Sequence, residues 1–247
     1  MKNNIKLFIY DIKNITKDKK SFFVICFFTF LTIFIGVTIS IFFKDDNKSL
    51  FNEIKIISNI DRADVFTLYI TYIFSFVLFS TYPFLTGIVI ISYLKEFGEL
   101  ELMMLFPLNR KHFFFEKIFC IFAVSIFFSW ISIFLNLIIH CIIYNLEFSF
   151  NGYIFFYATV SLPVWLFCLS SLTVVISSLA KDSKEANQKS LIISFILYCI
   201  IQVLFLLKVN FLSIRIIFIP LLAGIILVIG LFCFVKNKIN LEKILYY

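Results

Sequence analysis

From Ser21 to Phe43 the chain runs without a single charged side chain, and it does this again from Val65 to Leu94 and from Tyr153 to Ala180. About 20 apolar residues in a helix cross the roughly 30 Å hydrocarbon layer of a bilayer. Three further stretches qualify with few charges: Phe113–Tyr144, Ser190–Leu207 and Ile214–Val235. The apolar runs are continuous rather than alternating, so they predict helices and not the strands of a barrel. Composition agrees. Hydrophobic residues make up 62% of the 247, charged residues 15%, and the mean hydropathy is +1.02. A soluble domain is about 45–50% apolar and about 25% charged, and one of this length lacks the interior to hide such an excess. The expected fold is all-α: a polytopic membrane protein with six transmembrane helices over 21–43, 65–94, 113–144, 153–180, 190–207 and 214–235. Residues 1–247 then form one transmembrane domain.

Orientation follows from lysine and arginine in the connections, because basic residues accumulate on the cytoplasmic side. One side carries Lys2, Lys6, Lys13, Lys17, Lys19, Lys20, Lys95, Arg110, Lys111, Lys117, Lys181, Lys184, Lys189, Lys236, Lys238 and Lys243. The other carries Lys44, Lys48, Lys55, Arg62, Lys208 and Arg215. Sixteen against six places both termini in the cytoplasm. The net charge of +7 is thereby a topology signal, and no nucleic-acid partner is implied. The first apolar run follows a basic segment as a signal peptide does, but it is too long for an h-region and no A-x-A-like site follows it. It is read as a retained span. Within residues 1–20, Ile5, Phe8, Ile9, Ile12 and Ile15 recur at helical spacing, with Lys6, Lys13 and Lys17 on the other face. That pattern predicts an amphipathic interfacial helix. The abundance of Phe, Ile, Lys and Asn fits the codon usage of an AT-rich bacterial genome, and hence a multi-pass protein of the bacterial plasma membrane.

Catalytic patterns are missing. There is no G-x-x-x-x-G-K-[ST] phosphate loop, no G-x-S-x-G and no H-E-x-x-H. Cys26, Cys120, Cys141, Cys168, Cys199 and Cys233 form no CxxC pair and all lie in apolar stretches, where cysteine acts as a small hydrophobe. Asn136 and His140, one helical turn apart in the third stretch, are the one polar pair that would suit an intramembrane hydrolase or a proton relay; interfacial polarity near the outer end explains them as well. Ser170, Ser171, Thr173, Ser177 and Ser178 place small polar residues along the fourth stretch, as close helix packing or a polar translocation wall would require. Pro83 with Gly87 and Pro220 with Gly224 mark two places where a helix is expected to kink.

The most specific segment is the second connection, 95–112: Lys95-Glu-Phe-Gly-Glu-Leu-Glu-Leu-Met-Met-Leu-Phe-Pro-Leu-Asn-Arg110. Three acids, Glu96, Glu99 and Glu101, stand in a basic setting beside apolar Leu100, Leu102, Met103, Met104 and Phe106. Pro107 ends the element, since proline cannot continue a helical hydrogen-bond ladder. Acids and methionines at a membrane surface are what a docking element for another protein contains.

Glu96-x-Gly98, Leu100-Glu101, Pro107-x-x-Arg110 and Lys117 resemble, residue for residue and at the same spacing, the cytoplasmic connection of type-2 ATP-binding-cassette exporter permeases. The chain resembles the small six-helix members, such as peptide-exporter and lantibiotic-immunity permeases. It departs from the pattern at Glu99, where a small hydroxyl residue is commoner, at Phe106, and at Glu116, often a glycine. The resemblance implies a transporter subunit with no ATPase site of its own. ATP and Mg would be bound by separate cytoplasmic ATPase subunits, and a second permease subunit, the same chain or a paralogue, would complete the path through the lipid bilayer. Glu96, Gly98, Glu99, Leu100, Glu101, Pro107 and Arg110 would then couple the ATPase to transport. The short fifth connection points to a peptide or another hydrophobic or amphipathic cargo, and away from sugar polymers. A non-transporting scaffold or sensor and an intramembrane hydrolase are the alternative classes.

Overall fold

A computed structural model of the chain describes residues 10, 12–13, 19–44, 78–87, 90, 110–145, 155–180, 184–186, 188–190, 192–193, 196 and 224–226. Everything regular among them is helical. Helix α1 spans Lys19–Lys44, α2 Thr81–Gly87, α3 Arg110–Tyr144 and α4 Leu162–Leu179. A π-helical turn, Tyr157–Ser161, leads into α4. Among the described residues, three segments are long and apolar enough to cross a membrane: Phe22–Ile41, Phe114–Tyr144 and Tyr157–Ser178. With 35 residues, α3 is about 52 Å long at 1.5 Å per residue, well beyond the hydrocarbon thickness, so it tilts or projects from the layer. Of the second, fifth and sixth apolar stretches, only 78–87, 90, 190, 192–193, 196 and 224–226 are among the described residues.

Contacts give the direction of each helix. Phe22 meets Phe128, Thr32 meets Ser132 and Ser40 meets His140, so α1 and α3 run parallel. Trp130 meets Ala158 and Phe122 meets Phe167, so α4 runs antiparallel to α3. Ser80 meets Trp165 while Gly87 faces Thr173, which sets α2 parallel to α4. Two parallel helices consecutive in the bundle require the intervening chain to travel back, and α2 points in that returning direction. One end of the bundle therefore collects Lys19 and Lys20 from α1, Arg110, Lys111 and Lys117 from α3, and Lys184 and Lys189, which follow the end of α4. The opposite end has Lys44 of α1.

Which face of each helix turns inward inverts the rule of soluble proteins. The inner face of α1 carries Ile25, Thr29, Thr32, Gly36 and Ser40, every third or fourth position. That of α3 carries Lys117, Ile121, Ser125, Ser129, Ser132, Asn136 and His140. Their outer faces are aromatic: Phe23, Phe27, Phe30 and Phe34 on α1, and Phe115, Phe119, Phe127, Trp130 and Phe134 on α3. Lipid is as apolar as any of these rings. Apolar side chains therefore gain nothing by turning inward, whereas small and polar ones allow close approach and bond across the helices. The interior hydrophobic cluster is drawn from all four helices, with Ile25, Phe79, Tyr82, Ile90, Cys120, Ile121, Tyr157, Leu162 and Leu166 at its centre. Near the amino terminus, Ile12 packs against this cluster and Lys13 is exposed; the rest of the predicted interfacial helix lies outside the described residues, apart from Tyr10 and the Lys19–Lys20 start of α1.

The kink expected at Pro83 has a visible counterpart. Helical residues Leu78 and Phe79 are followed by a turn at Ser80, and α2 resumes at Thr81. Proline lacks the N–H that would close the preceding turn. Hydroxyls act on the carbonyls around the break: Thr81 donates to the Leu78 carbonyl at 2.6 Å and Thr86 to that of Tyr82 at 2.9 Å.

Candidate functional site

Two regions carry polar side chains whose burial needs an explanation. The first is the seam between α1 and α3. Thr29 donates to the Ile25 carbonyl at 2.8 Å, which uses its one proton, so at the 3.0 Å contact between the hydroxyls of Tyr82 and Thr29 the tyrosine is the donor. The hydroxyl of Thr32 lies 2.7 Å from the Thr29 carbonyl and 2.9 Å from the Ser132 hydroxyl. Asn136 reaches the Thr32 carbonyl through Nδ2 at 3.4 Å. Further along, Ser40 Oγ pairs with His140 Nδ1 at 3.3 Å, and the Tyr144 hydroxyl donates to the Ser40 carbonyl at 3.2 Å. The rings of His140 and Tyr144 are in contact, with centroids 4.6 Å apart and planes tilted by 36°. Ser125 and Ser129 bond back to carbonyls of their own helix and leave room for close packing.

His140 is 2% exposed and Asn136 4% exposed. Both face α1 and bond to its residues. Ring nitrogen and amide are used to join two helices, and among the described residues no three His, Cys, Asp or Glu come together. In α4, Ser170, Ser171 and Thr173 each donate to the carbonyl four residues back, at 2.7 to 2.9 Å. Their side chains are small on the face that meets α2, where Gly87 lies directly against Thr173.

The second region is the foot of α3, at the basic end. Of the residues expected to couple to an ATPase, Glu96, Gly98, Glu99, Leu100, Glu101 and Pro107 lie outside the described residues. Arg110 is the first residue of α3, three positions after Pro107 in the sequence. Lys117, two turns in, is 1% exposed on the inner face. An ammonium at that depth is tolerated only with counter-charge or hydrogen bonds around it. The sequence singles out Lys117 by spacing alone; its burial is decided by the packing of α3.

Among the described residues the structure is all helical, with three membrane-length helices joined inside by hydroxyl, amide and imidazole groups. Comparison with protein-family models, curated proteins and solved structures finds no match.

Proposed function

We propose that the chain is the permease subunit of an ATP-binding-cassette exporter: six spans in the bacterial plasma membrane, both termini in the cytoplasm, moving a hydrophobic or amphipathic cargo, in the first instance a peptide. What carries the proposal is the run Glu96-x-Gly98, Leu100-Glu101, Pro107-x-x-Arg110 and Lys117, which leads into the foot of α3 at the end of the bundle where basic residues gather. By the distribution of lysine and arginine that end is cytoplasmic, the side on which ATP is available. Acids of 95–112 would pair with basic residues on a separate ATPase subunit, and Leu100, Met103 and Met104 would anchor the contact. The ATPase would bias the permease between conformations through contacts that differ in its two nucleotide states. Two permease subunits, identical or paralogous, would enclose the path.

The test is purification of the chain from its native membrane together with whatever ATPase accompanies it, followed by Glu101→Lys and a bulky replacement of Gly98. Truncating or reversing a desolvated interfacial charge costs about 2–5 kcal/mol, enough to lose coupling. Both variants should insert at normal levels and lose substrate-stimulated ATP hydrolysis. Unchanged transport in both, or the absence of any associated ATPase, sinks the assignment.

A further inference from the structure

The fourth apolar segment changes hydrogen-bond register once. Its π-helical turn, Tyr157–Ser161, is closed by the Leu162 N–H donating to the Tyr157 carbonyl, five residues back instead of four. In that wide register the next acceptor is the Ala158 carbonyl and its donor would be residue 163. Residue 163 is proline, which has no N–H. The Ala158 oxygen is served from a different helix: the indole N–H of Trp130 on α3 donates to it at 3.0 Å.

The protein has two tryptophans, and both fasten this segment, on either side of Pro163. Trp165 donates its indole N–H to Ser80 Oγ at 2.8 Å and ties the body of α4 to the α2 region. That body is closely packed, with Leu162, Leu166 and Leu169 each 0% exposed. Trp130 ties the arm that precedes the proline. Its ring is 49% exposed, and Phe155, Thr159 and Val160 on the arm are exposed as well. The Trp130 bond therefore lies on the exposed side of the arm, while Tyr157 and Ser161 on its other side are buried in the bundle.

From this we infer that residues 157–163 are a hinge in the fourth span and that Trp130 is its latch. A π-turn and a proline together supply the two ordinary causes of a bend within a helix. The indole donor holds the arm against α3, and opening the hinge requires both that this bond lets go and that Tyr157 leaves the interior cluster. In an apolar surrounding an unserved carbonyl is costly, so the latched form dominates. The open form is the one in which water or a polar cargo group replaces the indole. This holds whether or not the chain is a permease.

The experiment is a double-variant cycle on the full chain in lipid nanodiscs, read by amide hydrogen exchange over 155–163 and by thermal unfolding. Trp130→Phe keeps a ring and removes the donor, because indole nitrogen is donor only. It should raise exchange over 155–163 roughly tenfold and leave 164–178 unchanged. Pro163→Ala restores an N–H for Ala158, so in that background Trp130→Phe should alter exchange little. Loss of ring packing is common to both backgrounds and cancels. Should Trp130→Phe fail to accumulate, Pro163→Ala must rescue it. An equal effect of Trp130→Phe in the two backgrounds, unchanged exchange over 155–163, or no rescue overturns the hinge and latch.

Discussion

The α1–α3 seam and the α2–α4 contact solve the same problem by different means. Along the seam, helices are joined by groups that bond across the gap: Thr32 with Ser132, Asn136 with the Thr32 carbonyl, Ser40 with His140 and Tyr144. At the α2–α4 contact the Trp165–Ser80 bond lies at one end, and around Gly87 the fit is steric. Gly87 offers no side chain, and Thr173, its hydroxyl committed to the Leu169 carbonyl at 2.7 Å, turns its methyl into that space. Hydrogen bonds tolerate small displacements but demand a chemical partner. Close contact is indifferent to partner chemistry and intolerant of one extra carbon. The seam should thus be soft to size and sensitive to polarity, and the α2–α4 contact the reverse.

The largest effect should come from Gly87→Ala. The added Cβ falls inside the contact distance of Thr173 Cγ2, which cannot rotate away without giving up its own bond. Overpacking of this kind costs about 1–3 kcal/mol, and a markedly lower melting temperature in detergent is the expected outcome. Removing the methyl in Gly87→Ala/Thr173→Ser should recover most of the loss. Without recovery, the steric account of this contact fails.

Next in size is Thr32→Val, which keeps shape and deletes the hydroxyl at the centre of the seam. Interhelical hydrogen bonds of membrane proteins average about 0.6 kcal/mol and reach about 1.7, so a smaller fall in melting temperature is expected. Combined with Ser132→Ala, the losses should be less than additive, since both variants remove the same bond. Strict additivity would show that the two hydroxyls do not act together. The smallest effect belongs to Gly224→Ala, at the contact of residues 224–226 with α4. There an added Cβ would lie 3.2 Å from Val164 Cγ1 and 3.4 Å from Cys168 Sγ, so neighbours need yield only a few tenths of an ångström. A shift as large as that of Gly87→Ala would mean that tightness at a glycine does not rank these contacts.

Much of this was legible beforehand, and the illegible part has a definite cause. The first, third and fourth apolar stretches correspond to α1, α3 and the π-turn with α4, because length and lack of charge are properties of a segment alone. The break before Pro83 was readable for the same reason: proline removes a donor wherever it stands. The inward faces were half readable. Thr29, Thr32, Gly36 and Ser40 recur every three or four residues in α1, and Ser125, Ser129, Ser132, Asn136 and His140 do so in α3. A search for hydrophobic periodicity passes over both, since each helix is apolar around most of its circumference; periodicity of small and polar residues is the signal that finds them.

The sequence by itself determined that the chain forms long apolar helices, where prolines interrupt them, and that its basic residues are unevenly shared among the connections. Those outcomes depend on covalent structure and on the cost of placing charge or open backbone in an apolar medium. Only the tertiary structure decided that α1 and α3 lie parallel, that His140 meets Ser40, that Lys117 is buried, and that Trp130 supplies the hydrogen bond Pro163 cannot. Each of these joins residues far apart in the chain. In an environment as apolar as the side chains themselves, hydrophobicity does not choose the pairing, and the choice falls to which small gaps and polar groups can meet.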